Sequence, residues 1–417
     1  MRILKLNAAT ERVLLRARTE RDIAAERIAA RIIADIRKNG DAALARWARK
    51  LDKVDLQRDG LWISQTEIQS AYRSAAPQFI KALKHAARNV KLVAEKQLPK
   101  PWSLRVEPGV TISQKVSPID SIGCYIPGGR YALVSTLVMT TVPAQVAGVQ
   151  RIIAVCPRPN RELLAAARIL GVTKIARIGG AQAIAALAYG TKTIQRVDKI
   201  FGPGNRYVTA AKQLISSDCA IDLPAGPTEA IVLAANGNPR WIAADLLAQA
   251  EHAPDAGSFL VTTSAKLADQ VRGEIAIQLK QLPENSPARA SLQQTGAIVL
   301  APTIEAACGF VNRFAPEHLS LPDHPASLLK KIRAAGTIFS GPLAAQPLGD
   351  YLSGSNHVLP TGGWARTRAG LSAADFVKSI SVQSFTPNGF QALADDVQRL
   401  AQVEGLQAHS SAIEVRR

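Results

Sequence analysis

The chain has 417 residues, 47 % hydrophobic and 20 % charged, which is enough for about two to four folded domains and too apolar for a disordered protein. The net charge of +18 would suit a nucleic-acid partner, but the basic residues are spread out and no nucleic-acid-binding motif accompanies them. We therefore expect no nucleic-acid partner. Dispersed cysteines argue against a disulfide framework, and the lack of a signal-peptide pattern or of about 18 consecutive apolar residues predicts a cytoplasmic protein without membrane contacts.

Helices dominate the predicted elements of the first part of the chain. Two helix starts carry a capping-box-like pattern, in which a hydroxyl residue shortly precedes an acidic one: Thr19 with Asp22 and Ser64 with Glu67. The Asn39-Gly40 pair ends the first of these helices, and Pro77 interrupts the later one. From about residue 104 to 126, β-branched residues between proline-containing turns indicate short strands.

Strands and helices alternate through the middle of the chain. One series runs from about residue 125 to 235, and a second runs from the helix that contains Gln249 to the strand GTIFSG. Alternation at this spacing predicts parallel strands joined by right-handed crossovers. We therefore predict an α/β fold with two doubly wound, incomplete Rossmann-like parallel sheets. The tail from about Ser372 differs, since it contains a helix start, the short strand SISVQS and a last helix that ends near Gly405.

The segment LLAQAEHAPD places the amide of Gln249 and the imidazole of His252 three positions apart on a predicted helix. Asn238 is a suitable N-cap for this helix and Pro239 a suitable first residue. Three positions are nearly one helical turn, so both side chains leave the same face and can meet one cation. On this spacing alone, a buried hydrogen-bonded pair is the commoner explanation.

Acids or amides accompany four of the six histidines. These are His252 in QAEH, His318 in APEHL, His357 seven residues after Asp350, and His409 in EGLQAH. One combination stands out, because two imidazoles, a carboxylate and an amide oxygen suit Zn²⁺: Gln249, His252, Asp350 and His409. These residues lie far apart in the sequence, so spacing by itself supports the set weakly.

The adjacent pair Glu317-His318 has the side chains of a general acid and base. Neighbouring residues within a strand point to opposite faces, so both reach one substrate only on a loop or at a strand end. Pro316 makes such a position plausible. The alternative is a surface glutamate beside a half-buried histidine.

Two glycine-rich turns follow predicted strands, IPGGR at 126–130 and FGPGN at 201–205. Both allow a ligand to approach the backbone closely, but neither is a complete GxGxxG dinucleotide motif. The sequence has no GxxxxGK[ST] phosphate-binding loop and no GxSxG nucleophile motif. A P-loop nucleotidase and a serine hydrolase are therefore not indicated.

Taken together, the longer motifs of this chain resemble those of the histidinol dehydrogenase family. They occur in the family's order from about residue 20 to 410, and so many long motifs are highly specific. The matching stretches are GCYIPGGR, GGAQAIAALAYGT, IFGPGNRYVTAAK, IDLPAGPTE, DLLAQAEHAPD, VNRFAPEHL, LGDYLSGSNHVLPTGG and EGLQAH.

This resemblance implies a zinc-dependent enzyme of histidine biosynthesis. It would oxidise L-histidinol to L-histidine through L-histidinal and reduce two NAD⁺, with one Zn²⁺ per subunit of a homodimer whose active sites are shared. Glu317 and His318 would be the acid and base. The zinc ligands would be Gln249, His252, Asp350 and, from the partner chain, His409.

The resemblance also assigns contacts with substrate and cofactor. Besides His318 and the zinc ligands, the side chains implied to contact L-histidinol are Thr228, His357 and Glu404. Those implied to contact NAD⁺ are Tyr125, Gln182 and Asn205. Thr228 stands where many members of the family have serine, so it keeps the hydroxyl group and adds a methyl group.

Four regions are predicted along the chain. Residues 1–19 form an N-terminal arm. Residues 20–124 and 230–371 form a larger α/β domain with the zinc and catalytic residues, and residues 125–229 form a second α/β domain with the NAD⁺ contacts. Residues 372–417 form a tail that joins the dimer and donates residues to the partner's site.

Two other functions compete with this one. The first is another zinc- and NAD-dependent alcohol dehydrogenase on the same scaffold, acting on a different polar alcohol such as a sulfonated diol. Glu404, His357 and His409 favour an imidazole substrate over it. The second is a basic nucleic-acid-binding protein, which the net charge alone supports.

Overall fold

The structure is a computed structural model that describes residues 1–16, 18, 22–128, 133–223, 226–323 and 326–417. Three features noted in the sequence lie outside the described residues, namely the helix start at Thr19, the end of the glycine-rich segment at Gly129-Arg130, and Pro224-Ala225 within IDLPAGPTE. Among the described helices, none is both long and apolar enough to cross a membrane.

The N-terminal part is helical, as predicted, apart from a first short strand. Its elements are β1 (Arg2–Lys5), α1 (Ala8–Arg16), α2 (Ile23–Trp47), α3 (Leu56–Asp59), α4 (Gln65–Arg73) and α5 (Pro77–Gln97). Both hydrogen bonds of the Ser64–Glu67 capping box are present. Gly40 interrupts α2 with a φ of 51°, where only glycine is unstrained, so the predicted break appears as a kink. Pro77 is the first residue of α5.

Residues 102–221 alternate between strands and helices. The elements are β2 (Trp102–Glu107), β3 (Val110–Pro118), β4 (Ser121–Tyr125), α6 (Val134–Ala147), β5 (Arg151–Val155), α7 (Arg161–Leu170), β6 (Ile175–Ala176), α8 (Gly180–Tyr189), β7 (Lys199–Phe201), α9 (Arg206–Ile215) and β8 (Ala220–Ile221). Within the described residues, five of these strands form a parallel sheet in the order β6-β5-β4-β7-β8. The order reverses direction beside β4, which makes the sheet doubly wound.

The next part of the chain builds a second parallel sheet. Its elements are β9 (Glu229–Leu233), α10 (Pro239–Ala250), β10 (Gly257–Thr262), α11 (Ala265–Leu279), α12 (Pro287–Gln294), β11 (Ala297–Leu300), α13 (Ile304–Phe314), β12 (His318–Leu321), α14 (Ala326–Leu329), β13 (Thr337–Ser340) and α15 (Gln346–Tyr351). The described strands follow the order β1-β11-β10-β9-β12-β13, all parallel. The prediction of an α/β fold with two doubly wound parallel sheets is confirmed.

The tail contributes to a smaller, antiparallel sheet. Its elements are β14 (Val377–Phe385), α16 (Pro387–Val403) and α17 (Gln407–Glu414). Strand β14 pairs with β3, which pairs with β2. The last helix was expected to end near Gly405, whereas a further helix follows this glycine. Gly405 has a φ of 71° and so ends α16 without ending helical structure.

Each parallel sheet is buried between helices, as long apolar strands require. On the five-stranded sheet, α2 packs against α8 and α9, and α8 is buried along nearly its whole length because alanines make up half of it. Helix α2 thus packs on this sheet, whereas the predicted regions group residues 20–124 with residues 230–371. The division into domains at those boundaries stays a prediction.

Candidate active site in the cleft between the two sheets

A cleft of about 890 Å³ lies between the two parallel sheets. Its walls include Gly202 and Asn205, which follow the carboxyl end of β7, together with Thr228 and Glu317, which precede β9 and β12. Ligands in open α/β sheets normally bind at the carboxyl ends of the strands. The five-stranded sheet follows that rule, while the six-stranded sheet offers its amino ends to the cleft.

A tight turn brings Glu317 and His318 to the amino end of β12. Helix α13 ends at Ala315, which has a φ of 50°, because Pro316 disfavours helical geometry in the residue before it. Glu317 precedes the strand and His318 is its first residue. The pair therefore occupies a strand end, as its expected joint action requires, and both side chains are buried, so the surface alternative is wrong.

His318 lies between two carboxylates. Its Nδ1 is 3.7 Å from Glu317 Oε2 and its Nε2 is 3.7 Å from Asp350 Oδ1. Both distances are too long for hydrogen bonds, and both ring nitrogens are buried without a hydrogen-bond partner among the described residues. Burial by itself lowers the pKa of His318, but the two carboxylates outweigh it and raise the pKa above its ordinary value.

Glu317 is fixed by two hydrogen bonds to one of its oxygens. Its Oε2 accepts from Thr228 Oγ1 at 2.5 Å and from the backbone N–H of Glu229 at 3.0 Å. The carboxyl is only 6 % exposed, and this burial raises its pKa. A general base is most effective when its pKa lies near the working pH. The raised pKa of Glu317 therefore suits this role.

Gln249 and His252 are close together, but they do not share a helix as expected. Asn238 and Pro239 start α10 as predicted. The helix ends at Ala250, so His252 lies two residues beyond it, since Pro254 stops the helix from continuing. The imidazole folds back, and its Nδ1 lies 3.0 Å from the carbonyl oxygen of Ala248.

Asp350 interacts electrostatically with three of the histidines. The imidazoles of His318, His357 and His252 all act to lower the pKa of Asp350, against the effect of its burial. His357 Nδ1 lies 2.9 Å from the carbonyl oxygen of Asp350, and burial lowers the pKa of this histidine. The structure thus brings together side chains spread over more than a hundred residues of sequence.

The three residues expected to contact NAD⁺ lie around the carboxyl ends of the five-stranded sheet. Tyr125 ends β4, and its buried hydroxyl accepts a hydrogen bond from the N–H of Gly180 at 3.0 Å. Gln182 on α8 is fully buried and donates to Asp52 at 2.9 Å. Asn205 caps α9 and is exposed on the cleft. Only Asn205 of these three lines the cleft.

Glu404 and His409 are not brought to the cluster within one chain. Both are exposed, at the end of α16 and in α17, respectively. Among the hydrogen bonds and ion pairs of the described residues, none joins either side chain to Asp350 or His318. Consistently, the described part of a single chain holds no group of three or more His, Cys, Asp or Glu residues placed to bind a metal.

Arg18 and Glu229 form a buried ion pair next to the cluster that the sequence did not reveal. Arg18 Nε donates to Glu229 at 2.6 Å, its Nη1 donates to the carbonyl of Phe314 at 2.5 Å, and its guanidinium lies over the Phe314 ring. Glu229 also accepts from the N–H of Gly362. Since 211 residues separate Arg18 from Glu229, no local spacing predicts their contact.

Removal of Arg18 should destabilise the protein in a pH-dependent way. In Arg18→Met, Glu229 is left as an unpaired buried charge, and such a loss costs about 3–5 kcal/mol. Burial already raises the pKa of Glu229 to about 6, and loss of the cation raises it further. A carboxyl with a raised pKa is neutral at low pH, so the loss should be large at pH 8 and small at pH 5.

Urea unfolding at both pH values measures this effect. The matched control is Arg272→Met, which removes an exposed ion pair with Asp269 and should cost no more than about 1 kcal/mol at either pH. An Arg18→Met loss no larger than that of the control, or equal at pH 5 and pH 8, contradicts the prediction.

Comparison with known proteins identifies relatives of the whole chain. The family model for histidinol dehydrogenase matches residues 15–417. A histidinol dehydrogenase from Methanosarcina barkeri is 44 % identical over 394 residues, covering 92 % of this chain and 90 % of the relative. One from Geobacillus kaustophilus is 45 % identical and covers 92 % of each chain.

A solved structure has the same fold. The crystal structure of histidinol dehydrogenase from Elizabethkingia anophelis superposes with a TM-score of 0.93 at 37 % identity, covering 100 % of this chain and 98 % of that one. Two doubly wound sheets with a buried acid–imidazole pair beside the cleft between them define an α/β enzyme equipped for proton transfer. The chain belongs to the histidinol dehydrogenase family.

Proposed function

We propose that this enzyme oxidises L-histidinol to L-histidine through L-histidinal, in the cytoplasm and as part of histidine biosynthesis, with Zn²⁺ bound and two NAD⁺ reduced. The names of its relatives support the substrate. The observation that carries the chemistry is His318, a buried imidazole held between Glu317 and Asp350, whose ring nitrogens form no hydrogen bond with any described residue. A buried polar group without a partner is costly, so it points to a ligand that completes it.

The residues present suit a zinc ion. Gln249, His252 and Asp350 offer an amide oxygen, an imidazole and a carboxylate, and the Nδ1 contact of His252 with a carbonyl leaves its Nε2 as the ligand atom. A carbonyl at Nδ1 is a common outer partner of zinc-bound histidine. The partner's His409 would be the fourth protein ligand. Zinc bound there would help to hold the imidazole and amine of the substrate.

The five-stranded sheet suits NAD⁺. Its strand order reverses between β4 and β7, and dinucleotides bind in the crevice at such a reversal. Tyr125 ends one of these strands and Asn205 follows the other, while Gln182 lies at the start of α8. We assign NAD⁺ contacts to these three residues. The cleft then connects Asn205 with Glu317.

His318 is assigned the role of base in both oxidation steps. It takes the hydroxyl proton of L-histidinol as a hydride leaves the carbinol carbon for NAD⁺. Two carboxylates raise its pKa, which makes the neutral imidazole a stronger proton acceptor. In the second step it takes the proton of the hydrate.

Glu317 is assigned the activation of water. Its carboxylate removes a proton from the water molecule that adds to L-histidinal, and the resulting hydrate loses the second hydride. Thr228 and His357 line the cleft beside it and would contact the substrate, with Glu404 arriving from the partner chain. Since L-histidinol is a cation near neutral pH, local carboxylates rather than the basic surface attract it.

A homodimer with shared active sites explains the exposed apolar residues of the tail. Leu400 and Val403 on α16 are 66 % and 86 % exposed, although both are large and apolar. Leu104 lies on β2, in the antiparallel sheet that also contains β14 of the tail, and is 57 % exposed. Large apolar side chains this exposed are typical of residues that a partner covers. We assign residues 372–417 to dimerisation and to the donation of His409 and Glu404 to the partner's site.

The amount of NADH formed per L-histidinol tests the proposal. We expect two NADH per L-histidinol without any added aldehyde. A chelator should abolish the activity, and Zn²⁺ should restore it. A panel of other polar alcohols under the same conditions serves as the control and should give little NADH. One NADH per L-histidinol, or full activity after verified metal removal, would contradict the proposed mechanism.

A further inference from the structure

Gln346 joins the two helices that carry the candidate metal ligands. It is the first residue of α15, and Asp350 lies four residues later in the same helix. Its Nε2 donates a hydrogen bond of 2.8 Å to Oε1 of Gln249 on α10. The two amides are 1 % and 0 % exposed, so water cannot easily replace this bond. Nothing in the sequence motifs marks Gln346, which lies 97 residues from Gln249.

The Gln249 amide is also held from its other end. Its Nε2 donates to Thr228 Oγ1 at 3.0 Å. The hydroxyl of Thr228 has a single proton, and it donates that proton to Glu317 Oε2 at 2.5 Å. The same Thr228 oxygen must therefore accept from Gln249. The Glu317 carboxylate therefore fixes the donor and the acceptor in each hydrogen bond of the row Glu317–Thr228–Gln249–Gln346.

This direction decides which atom of Gln249 can meet a cation. With the nitrogen committed to Thr228, the oxygen faces α15, where Gln346 is the donor. An amide oxygen has two lone pairs, so one is left after the bond from Gln346. If the amide turned over, its NH₂ group would take that place, and an NH₂ group cannot ligate a metal.

We propose that Gln346 is a positioning residue of the metal site. It holds the Gln249 amide with its oxygen available to a divalent cation, and it ties α15, with Asp350, to α10. This inference rests on the proposed zinc-dependent function, because Gln249 serves as a ligand only there. Outer residues that orient metal ligands typically contribute a factor of about 10–100 to metal affinity.

Zinc affinity of the full-length protein tests the role of Gln346. Metal is removed with a chelator, and Zn²⁺ binding is measured by competition with a chromogenic chelator, without substrate or NAD⁺. Gln346→Met keeps the side-chain length but removes the donor, and it should weaken binding about 10–100-fold. The matched control is Gln145→Met, which removes an amide donor to the carbonyl of Leu170 at the end of α7 and should leave the affinity unchanged.

A pair of variants at Thr228 tests the same row from its other end. Thr228→Val removes the acceptor of the Gln249 amide while it preserves shape, and it should weaken Zn²⁺ binding; Thr228→Ser keeps the hydroxyl and should restore it. If Gln346→Met does not fold, the two Thr228 variants provide the test. Wild-type affinity in a folded Gln346→Met protein, or in Thr228→Val, overturns the inference and leaves the proposed function intact. Absence of Zn²⁺ binding by the unsubstituted protein overturns both.

Discussion

The Glu317→Gln variant should oxidise added L-histidinal about 10²–10⁴-fold more slowly than the unsubstituted enzyme, which is the usual contribution of a general base. Glutamine has the same size, and its amide oxygen can still accept from Thr228 and from the N–H of Glu229. The substitution therefore removes the basic carboxylate with little change in packing. Oxidation of L-histidinol to the aldehyde should be affected much less, because His318 is the base of that step.

The pH dependence of the aldehyde step gives an independent check. Burial raises the pKa of Glu317 above its ordinary value of 4.5, and only the ionised carboxylate can accept a proton. The rate of the unsubstituted enzyme should therefore fall as the pH drops through this raised pKa. The Glu317→Gln variant has no such group, so its residual rate should lack this limb.

Single-turnover measurements separate the two steps. Pre-mixed enzyme, Zn²⁺ and NAD⁺ are combined with L-histidinol or with L-histidinal, and NADH formation is followed. Thr209→Val, a substitution elsewhere in the cleft wall, serves as the control and should not change the ratio of the two rates. If Glu317→Gln oxidises L-histidinal as fast as the unsubstituted enzyme, the assigned role of Glu317 is wrong.

Two inactive variants should restore activity when their subunits are mixed. His409→Ala removes the ligand that a partner chain would donate, and Glu317→Gln removes the carboxylate that a chain keeps in its own site. In a two-fold symmetric dimer, one of the two sites of each mixed dimer then contains both intact residues. Random re-association should therefore recover about one quarter of the wild-type activity in the whole mixture, and purified mixed dimers should have about one half.

The structure gives the reason for this expectation. His409 is exposed on α17 of its own chain, whereas Glu317 is buried in the cleft between the sheets. Apolar side chains of the tail, among them Val403, are left exposed in a single chain. A partner that covers them could bring His409 to a neighbouring cleft.

The mixing experiment needs proof that mixed dimers form. Subunits with two different affinity tags are dissociated, re-associated and purified over both columns in succession, and activity is measured in the doubly retained fraction. Each variant treated alone in the same way is the control and should stay inactive. No recovered activity in the doubly tagged fraction argues that each site is built from one chain.

Local signals in the sequence determined most of the elements. The Ser64–Glu67 capping box, the start of α10 at Asn238 and Pro239, and helix α7 depend on residues only a few positions apart. Such signals arise from backbone hydrogen bonds and apolar periodicity within one element, so they are readable without tertiary structure. The alternation of elements likewise determined the two parallel sheets.

The sequence was less informative where an element's end or partner depends on packing. His252 was expected on α10, but the helix stops before it and the imidazole turns back over the last carbonyls. Strand β1 was not foreseen, because Arg2–Lys5 become a strand only through pairing with β11, nearly 300 residues away. No local pattern records such a pairing.

The candidate site shows the same division. The chemistry-bearing pair Glu317-His318, and the amide and imidazole at Gln249 and His252, were evident from residue type and from the family resemblance. Only the tertiary structure showed the hydrogen bonds of Arg18 with Glu229 and of Gln346 with Gln249. Only the tertiary structure showed that the amino ends of one sheet face the carboxyl ends of the other across the cleft. The reason is physical: residue types and short-range spacing fix which groups can react, whereas long-range packing of sheets and helices fixes which of them meet.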